Sequence, residues 1–420
     1  MSSTIGAVLE WFDFFAFASL SGLILGKLFF SPTDPAAEIL LGFSTLAVGY
    51  FARPIGGIIF GHFGDRLGRK PMLMITIWLM GVSTVLLGLF PTYSVIGIGA
   101  TVTLVLLRVI QGLAVGGEYG GAALLIIEHA AKSNRRGLYS AWANVGASMG
   151  FLLASALLAL LTATTTQEQF ETWGWRVPFL VSAVLLLVGS YIRKQIQDTP
   201  EFKKLKSQEE GSHSKVHKVP LLTLLKTQWR ALITAVAVPL ATLVFYQIGL
   251  VFITPYATRY AGYGATAVLT AITIAQLFYI ALSISFAYLS DRIGRRPVMA
   301  FGAVGCALWV SFVYFNLLKD GNFPQLVLAV TGLLFFVAAT WGPQAAFLAE
   351  LFSADVRYSG ISVGYQLAGA LSGLTPLVAF AALSGSGSWF AIALGTAAVS
   401  VVAGIGIATT KETAFERLRN

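Results

Sequence analysis

Charged side chains are scarce in this chain. Asp, Glu, Lys and Arg make up 11% of its 420 residues, whereas a soluble domain carries about 25%. Too little polar surface is available to coat a soluble globule, which excludes a cytosolic enzyme and a disordered protein. Cysteine occurs once, at Cys306. That excludes an intramolecular disulfide, a secreted disulfide scaffold and a cysteine-based metal cluster. Histidine occurs four times. His62 and His129 stand at the ends of apolar runs, and His213 and His217 in a polar stretch with no fixed third ligand, so no metal site is expected. Neither H-E-x-x-H nor G-x-x-x-x-G-K-[ST] occurs, which leaves no metalloenzyme signature and no ATP-binding loop. No cofactor is expected, and the chain is not read as an enzyme.

What fills the chain is apolar residues, 56% of the total, with 43 glycines and a mean hydropathy of +0.77. A spanning helix needs about 20 mostly apolar residues, because a core of about 30 Å is crossed at 1.5 Å per residue. Twelve such runs are legible, at 4–28, 38–61, 72–90, 96–128, 138–162, 175–194, 230–257, 266–289, 298–317, 324–349, 360–383 and 388–409. The expected fold class is an all-α membrane protein of twelve transmembrane helices. The first run is not a signal peptide: it has no basic n-region and contains Glu10 and Asp13.

The bases are placed unevenly. Of 28, 22 fall in the loops after even-numbered spans or at the C-terminus, and only Lys27, Arg176, Arg259 and Lys319 fall on the other side. The positive-inside rule then puts both termini in the cytoplasm, in a multi-pass protein of the cell (inner) membrane. The net charge of +9 reports orientation and attraction to anionic lipid, not nucleic-acid binding.

The longest polar stretch divides the spans six and six. It sets out three parts: an N-terminal six-helix bundle at 1–194, a cytoplasmic linker at 195–229 and a C-terminal six-helix bundle at 230–420. The halves repeat. Gly61–Pro71 reads GHFGDRLGRKP and Tyr288–Pro297 reads YLSDRIGRRP. Glu128 is followed seven residues later by Arg135, and Glu350 by Arg357 at the same spacing. Two matched features at nearly one offset indicate a duplicated bundle. The acids and bases of these loops, Asp65, Arg66, Arg69, Glu128, Arg135, Asp291, Arg292, Arg295, Glu350 and Arg357, can pair across loops as a cytoplasmic gate.

These loops resemble those of the major facilitator superfamily, as does Arg108-V-I-Gln111-G on the fourth span. Within it, E10-W-F-D-F, R53-P-I-G-G, G116-G-E-Y-G-G and W173-G-W-R-V-P-F are similar to the metabolite:proton symporter family. The runs H62-F-G-D-R-L-G-R-K and E128-H-A with N134-R-R-G are most like its shikimate-transporter branch. D198-T-P-E-F resembles the acid-rich motif after span six of sugar and organic-ion porters. The resemblance implies an alternating-access symporter and leaves the substrate open.

Five charged residues lie well inside spans: Glu10, Asp13, Arg53, Arg108 and Glu118. A charge at the bilayer centre costs about 2.5–3.5 kcal/mol even on a lenient scale, so each needs a partner or a wet cavity. Three acids and two bases leave one carboxylate over, making Asp13, Glu10 and Glu118 the candidates for proton coupling. Glu10 and Asp13, three apart, share a helix face at the depth of Arg53, and an Arg53–acid cluster is expected. Arg108 lies nearer the midplane with Gln111 one turn on, where transporters bind substrate, and its planar fork suits a carboxylate.

The second half offers uncharged amides and aromatics: Tyr246, Gln247, Gln276, Tyr279, Asn316, Trp341, Gln344, Tyr365 and Gln366. With Arg108, Gln111 and Arg53 opposite, they suit a small organic acid with hydroxyl groups on its carbon skeleton. A helix break or kink is expected at Trp341-Gly-Pro343 and another at Thr375-Pro376. The expected function is proton-coupled import of such an acid by a monomer, shikimate being one example. The alternatives are a proline/betaine-type zwitterion or osmolyte carrier, which an aromatic cage would favour, and a di- or tricarboxylate symporter.

Overall fold

A computed structural model describes residues 2–31, 34–67, 69–116, 135–194, 220–319, 321–353 and 356–415. Among them, eleven helices are long and apolar enough to cross a membrane, and a twelfth apolar stretch is shorter. In chain order they are α1 (Ala7–Phe29), α2 (Pro35–Phe60), α3 (Met74–Leu89), α4 (Ile98–Gly116), α5 (Arg136–Thr164), α6 (Gly174–Tyr191), α7 (Trp229–Tyr260), α8 (Ala265–Ile293), α9 (Arg295–Leu317), α10 (Phe323–Leu351), α11 (Arg357–Ser386) and α12 (Phe390–Thr409). The shorter one, α3, belongs to a helix of 21 residues, Arg69–Leu89. Helices are what a lipid-embedded chain must form, since every main-chain N–H and C=O has to be satisfied within its own segment. Large apolar side chains such as Ile58, Leu106, Leu187, Phe312 and Val401 point outward, as a bilayer-facing surface requires.

Within the first half, α1 packs on α5 and α6, α2 on α4, and α3 on α6; within the second, α7 packs on α11 and α12, α8 on α10, and α9 on α10 and α12. The halves meet chiefly through two helix pairs, α5 with α8 and α2 with α11. A shift of six spans turns the first pair into the second, so the repeat seen in the loops is also a repeat of packing.

A π-turn lies in the first helix of each half, Ser21–Leu25 in α1 and Ile248–Phe252 in α7, beginning 227 residues apart. A third, Trp309–Tyr314, lies in α9. Hydropathy carries no signal for any of them. The break expected at Thr375-Pro376 is present: one helical segment of α11 ends at Ser372 and the next begins at Thr375, with Pro376 in its first turn. At Trp341-Gly-Pro343 there is no break: α10 runs continuously through Pro343.

Glycine sets the closest approach in the first half. A Cβ on Gly112 of α4 would meet the Ala52 Cβ of α2 at 2.8 Å and would overlap the Gly49 carbonyl; one on Gly116 would meet the Gly57 nitrogen at 2.7 Å and overlap the Arg53 carbonyl. Small residues at this spacing let two backbones touch, and the contact fixes the position of the two arginines these helices carry.

Candidate functional site

Asp13, on α1, is buried between α3 and α6. Its carboxylate accepts a hydrogen bond from Thr84 Oγ1 of α3 at 3.1 Å and a short one from Ser182 Oγ of α6. Thr84 Oγ1 in turn accepts from Gln111 Nε2 of α4 at 2.8 Å. Gln111 Oε1 accepts from an Arg108 terminal nitrogen at 2.6 Å. Arg108 and Asp13 are therefore joined by a chain of three hydrogen bonds rather than by an ion pair. The Arg108 guanidinium also lies 3.7 Å from the centroid of the Phe17 ring.

The expected Arg53–acid cluster is not what forms around Asp13. Arg53 is buried against ring faces, 4.2 Å from the centroid of Tyr50 and 5.0 Å from that of Phe14. Successive helical residues point about 100° apart, so Phe14 turns to α2 while Asp13 turns to α3 and α6. Glu10 is half-buried. Glu118 lies outside the described residues.

The second half supplies an aromatic and amide face. Tyr246 of α7 stacks on Trp341 of α10, with centroids 5.2 Å apart and ring planes at 30°. Its hydroxyl accepts from Gln276 Nε2 of α8 at 2.9 Å, and Tyr279 lies beside it at 5.5 Å. Gln344 and Tyr365 are buried as well. Asn316, grouped with them from the sequence, is exposed at the end of α9 and binds Lys319.

The two faces touch. Gln247 donates to the Tyr50 hydroxyl at 2.6 Å, Asn144 of α5 donates to the Trp341 carbonyl at 3.0 Å, and Gln366 donates to the Gly116 carbonyl at 3.1 Å. Trp11 and Trp341 meet edge to face at 6.4 Å. Four buried polar atoms of the residues named here have no hydrogen-bond partner among the described residues: the Nε of Arg108, the Oε1 of Gln276, the hydroxyl of Tyr279 and the Oε1 of Gln344. A buried polar atom left unpaired costs about 1–3 kcal/mol. Thr84, Ser182, Tyr50 and Asn144 were not expected from the sequence, because hydroxyls and amides in apolar runs most often bond their own helix.

At the base-rich face the halves are bolted together. Asp291, at the end of α8, accepts from the main-chain nitrogens of Gly137 and Leu138 in the first turn of α5 at 2.8 and 2.9 Å, and pairs with Arg295 at 2.7 Å. Glu350 lies 3.5 Å from Arg295 and 3.5 Å from Arg136, and accepts from Thr413 Oγ1 at 2.7 Å. Arg136 also reaches the carbonyls of Thr413 and Ala414. The Glu412 carboxylate caps α9, accepting from the nitrogens of Arg295 and Arg296 at 2.9 and 3.0 Å. Gly294 makes room for it: the backbone there has φ +106°, and a Cβ would meet Glu412 at 2.5 Å.

Of the expected gate residues, Asp291, Arg295 and Glu350 come together. Arg292 turns out to solvent onto Tyr288. Arg357 donates to the Ala349 carbonyl at 2.9 Å, closing the end of α10. Arg135 is exposed, and its neighbour Arg136 is the base that reaches Glu350. Glu128 lies outside the described residues, as do the side chains of Asp65, Arg66 and Arg69.

Twelve helices in two similar halves, with polar groups gathered at the seam and an ion-pair latch across one face, define a membrane transporter of the major facilitator fold. Comparison with known proteins agrees. The family model for sugar (and other) transporters matches residues 1–220 and 192–420, and the chain belongs to that family. It is 38% identical to the shikimate transporter of Escherichia coli strain K12, over 94% of this chain and 90% of that one. It is also 38% identical to the inner membrane metabolite transport protein YhjE of the same strain, over 100% and 94%. Identity to that strain's proline/betaine transporter is 32%, over 100% and 84%. Among solved structures, the xylose transporter XylE from E. coli, in a partially occluded inward open conformation, matches with a TM-score of 0.77 at 19% identity, over 98% of this chain and 97% of that one.

Proposed function

We propose that this protein is a proton-coupled importer of a small hydroxylated monocarboxylic acid, working by alternating access. The observation that carries the reading is the set of unpartnered buried atoms, Arg108 Nε and the Oε1 of Gln276 and Gln344 among them. Arg108 Nε can donate to a carboxylate; Gln276 and Gln344 Oε1 can accept from hydroxyls; and the Tyr246–Trp341 stack can hold a ring or carbon skeleton between them. The relative at 38% identity named as a shikimate transporter supports a ligand of this kind. Asp13 is the coupling acid in this reading. It is buried, no Lys or Arg among the described residues pairs with it, and it is held by two hydroxyls. A hydroxyl can donate to a carboxylate or accept from a carboxylic acid simply by turning.

Residues 1–194 and 230–420 rock about this seam as two bundles joined by the linker at 195–229. The base-rich face is cytoplasmic, as are both termini, in the cell inner membrane. Asp291, Arg295, Glu350 and Arg136 keep that face shut while the site loads from outside, and one chain suffices. The competing reading is a proline/betaine-type zwitterion carrier, favoured by the Trp11, Tyr246 and Trp341 rings, which can face a quaternary amine.

Uptake of labelled shikimate into proteoliposomes tests the proposal. Accumulation is expected only with an inward proton gradient; equal uptake after a protonophore collapses that gradient rejects symport. Thermal-shift screening of organic acids against betaines separates the two substrate classes.

A further inference from the structure

The chain of hydrogen bonds between Arg108 and Asp13 has a direction. Arg108 donates to Gln111, Gln111 donates through its amide to Thr84, and Thr84 donates to Asp13. Every link points from the cation to the anion. Such a chain polarises cooperatively, each bond strengthening the next, provided its last acceptor carries the charge.

Thr84 is the link that can reverse. Its single hydroxyl hydrogen has two acceptors in reach, Asp13 at 3.1 Å and the Met80 carbonyl at 2.9 Å. Ser182, on the other carboxylate oxygen, has the same choice, with the Pro178 carbonyl at 3.1 Å. When Asp13 is ionised, both hydroxyls point at it. When Asp13 takes a proton, its own O–H must donate. Thr84 then swings its hydrogen to Met80 and accepts both from Asp13 and from Gln111, using its two lone pairs. The proton stays on Asp13, and no bond to Thr84 is made or broken except hydrogen bonds. Among the described residues, the charged group acting on Asp13 from the helices packed around it is Arg108 on α4; α3 and α6 present it with Thr84 and Ser182.

We propose that Thr84 and Gln111 are positioning residues that transmit the protonation state of Asp13 to Arg108, so that a proton bound at Asp13 releases Arg108 for the substrate carboxylate. While Asp13 is ionised, the wire pulls the Arg108 fork toward Gln111. Once Asp13 is neutral, the wire has no charge at its end, and the substrate becomes the strongest acceptor in reach of Arg108. Proton binding thus precedes substrate binding. The inference rests on the proposed roles of Asp13 and Arg108.

The test is equilibrium binding of labelled shikimate to the purified protein as a function of pH. In the wild type, affinity should rise as pH falls, by up to about tenfold per unit for one linked proton. Thr84→Val keeps the shape of the side chain and removes the hydroxyl; Gln111→Met removes the amide, which does not touch Asp13. Each should flatten the pH dependence to less than about twofold per unit, and Thr84→Ser should restore it. A full slope in the folded Thr84→Val or Gln111→Met protein overturns the inference, because a side chain that merely packs would change affinity without changing its link to protons.

Absence of shikimate binding by the wild type at every pH would instead reject the substrate reading. The wire is then decided without substrate, by the rate at which phenylglyoxal modifies Arg108, followed by peptide mapping. Asp13→Asn and Thr84→Val should each raise that rate, and the pair together should raise it no further. Unchanged rates overturn the proposal.

Discussion

Replacing Asp13 by Asn should separate transport from its driving force. Asp13 accepts two hydrogen bonds, from Thr84 and Ser182. Hydrogen bonds to a charged group contribute about 1.5–3 kcal/mol and neutral ones about 0.5–1.5, so two weakened bonds remove roughly 2 kcal/mol. Taking a charge out of the membrane interior returns about 2.5–3.5 kcal/mol on the insertion scale. The two effects nearly cancel, so the variant should fold with a thermal midpoint close to the wild type. Its function should not survive intact. Cotransport of one proton with one monocarboxylate is electroneutral, so each pH unit across the membrane, about 1.4 kcal/mol, sustains about a tenfold accumulation ratio. Asp13→Asn cannot release a proton, so its ratio should fall to about one however large the gradient. Exchange of labelled for unlabelled acid with no gradient should continue. Proteoliposomes loaded at one pH and diluted into another measure both quantities. Accumulation at the wild-type ratio would refute the assignment of the proton to Asp13. Loss of exchange and accumulation together, in a folded protein, would show that Asp13 binds substrate instead.

Arg108→Lys should lower exchange by about tenfold or more, since the ammonium keeps the charge but not the planar fork, and unaltered exchange would remove Arg108 from the site. Gly112→Ala should force α2 and α4 apart and lower stability by about 1–3 kcal/mol in thermal unfolding. Gly395→Ala, where a Cβ meets nothing within 4 Å, should be neutral or gain up to about 1 kcal/mol. Asp291→Asn weakens the two hydrogen bonds that cross the base-rich seam to the Gly137 and Leu138 nitrogens by about 2 kcal/mol together, enough to open it roughly thirtyfold more often. Maleimide labelling of a Leu138→Cys reporter in a Cys306→Ser background would read that change, and a constant rate would exclude Asp291 from the latch.

The spans were legible because the bilayer allows so few alternatives: a long apolar run must be a helix, and a duplicated charged loop must recur at the same end of it. Rotation about the helix axis was less accessible. Glu10, Asp13 and Arg53 sit at similar depth, and depth alone suggested a cluster. One residue of rotation instead sends Asp13 to two hydroxyls and gives Arg53 the face of Phe14. Arg136 was missed for the same reason: the sequence does not say which of two adjacent bases turns to Glu350. Pro343 marks a break or kink in the sequence, and α10 continues through it without a break, since composition does not reveal what neighbouring helices support. The amides and aromatics of the second half were found because they are the polar exceptions in very apolar runs. Asn316 failed because it stands at a helix end, where polarity needs no partner inside.

The paired π-turns carry a record of descent. Each winds one residue more into its ring than the α-helix around it, and the two stand at equivalent places in α1 and α7. A residue added independently to each half would have had some twenty positions per helix to choose from. Coincidence of place says that the extra residue was already there when one six-helix ancestor was copied. The turn in α9 has no counterpart among the described residues of α3, so one half has gained or lost it since the copying. A twin therefore marks an irregularity as older than the copying.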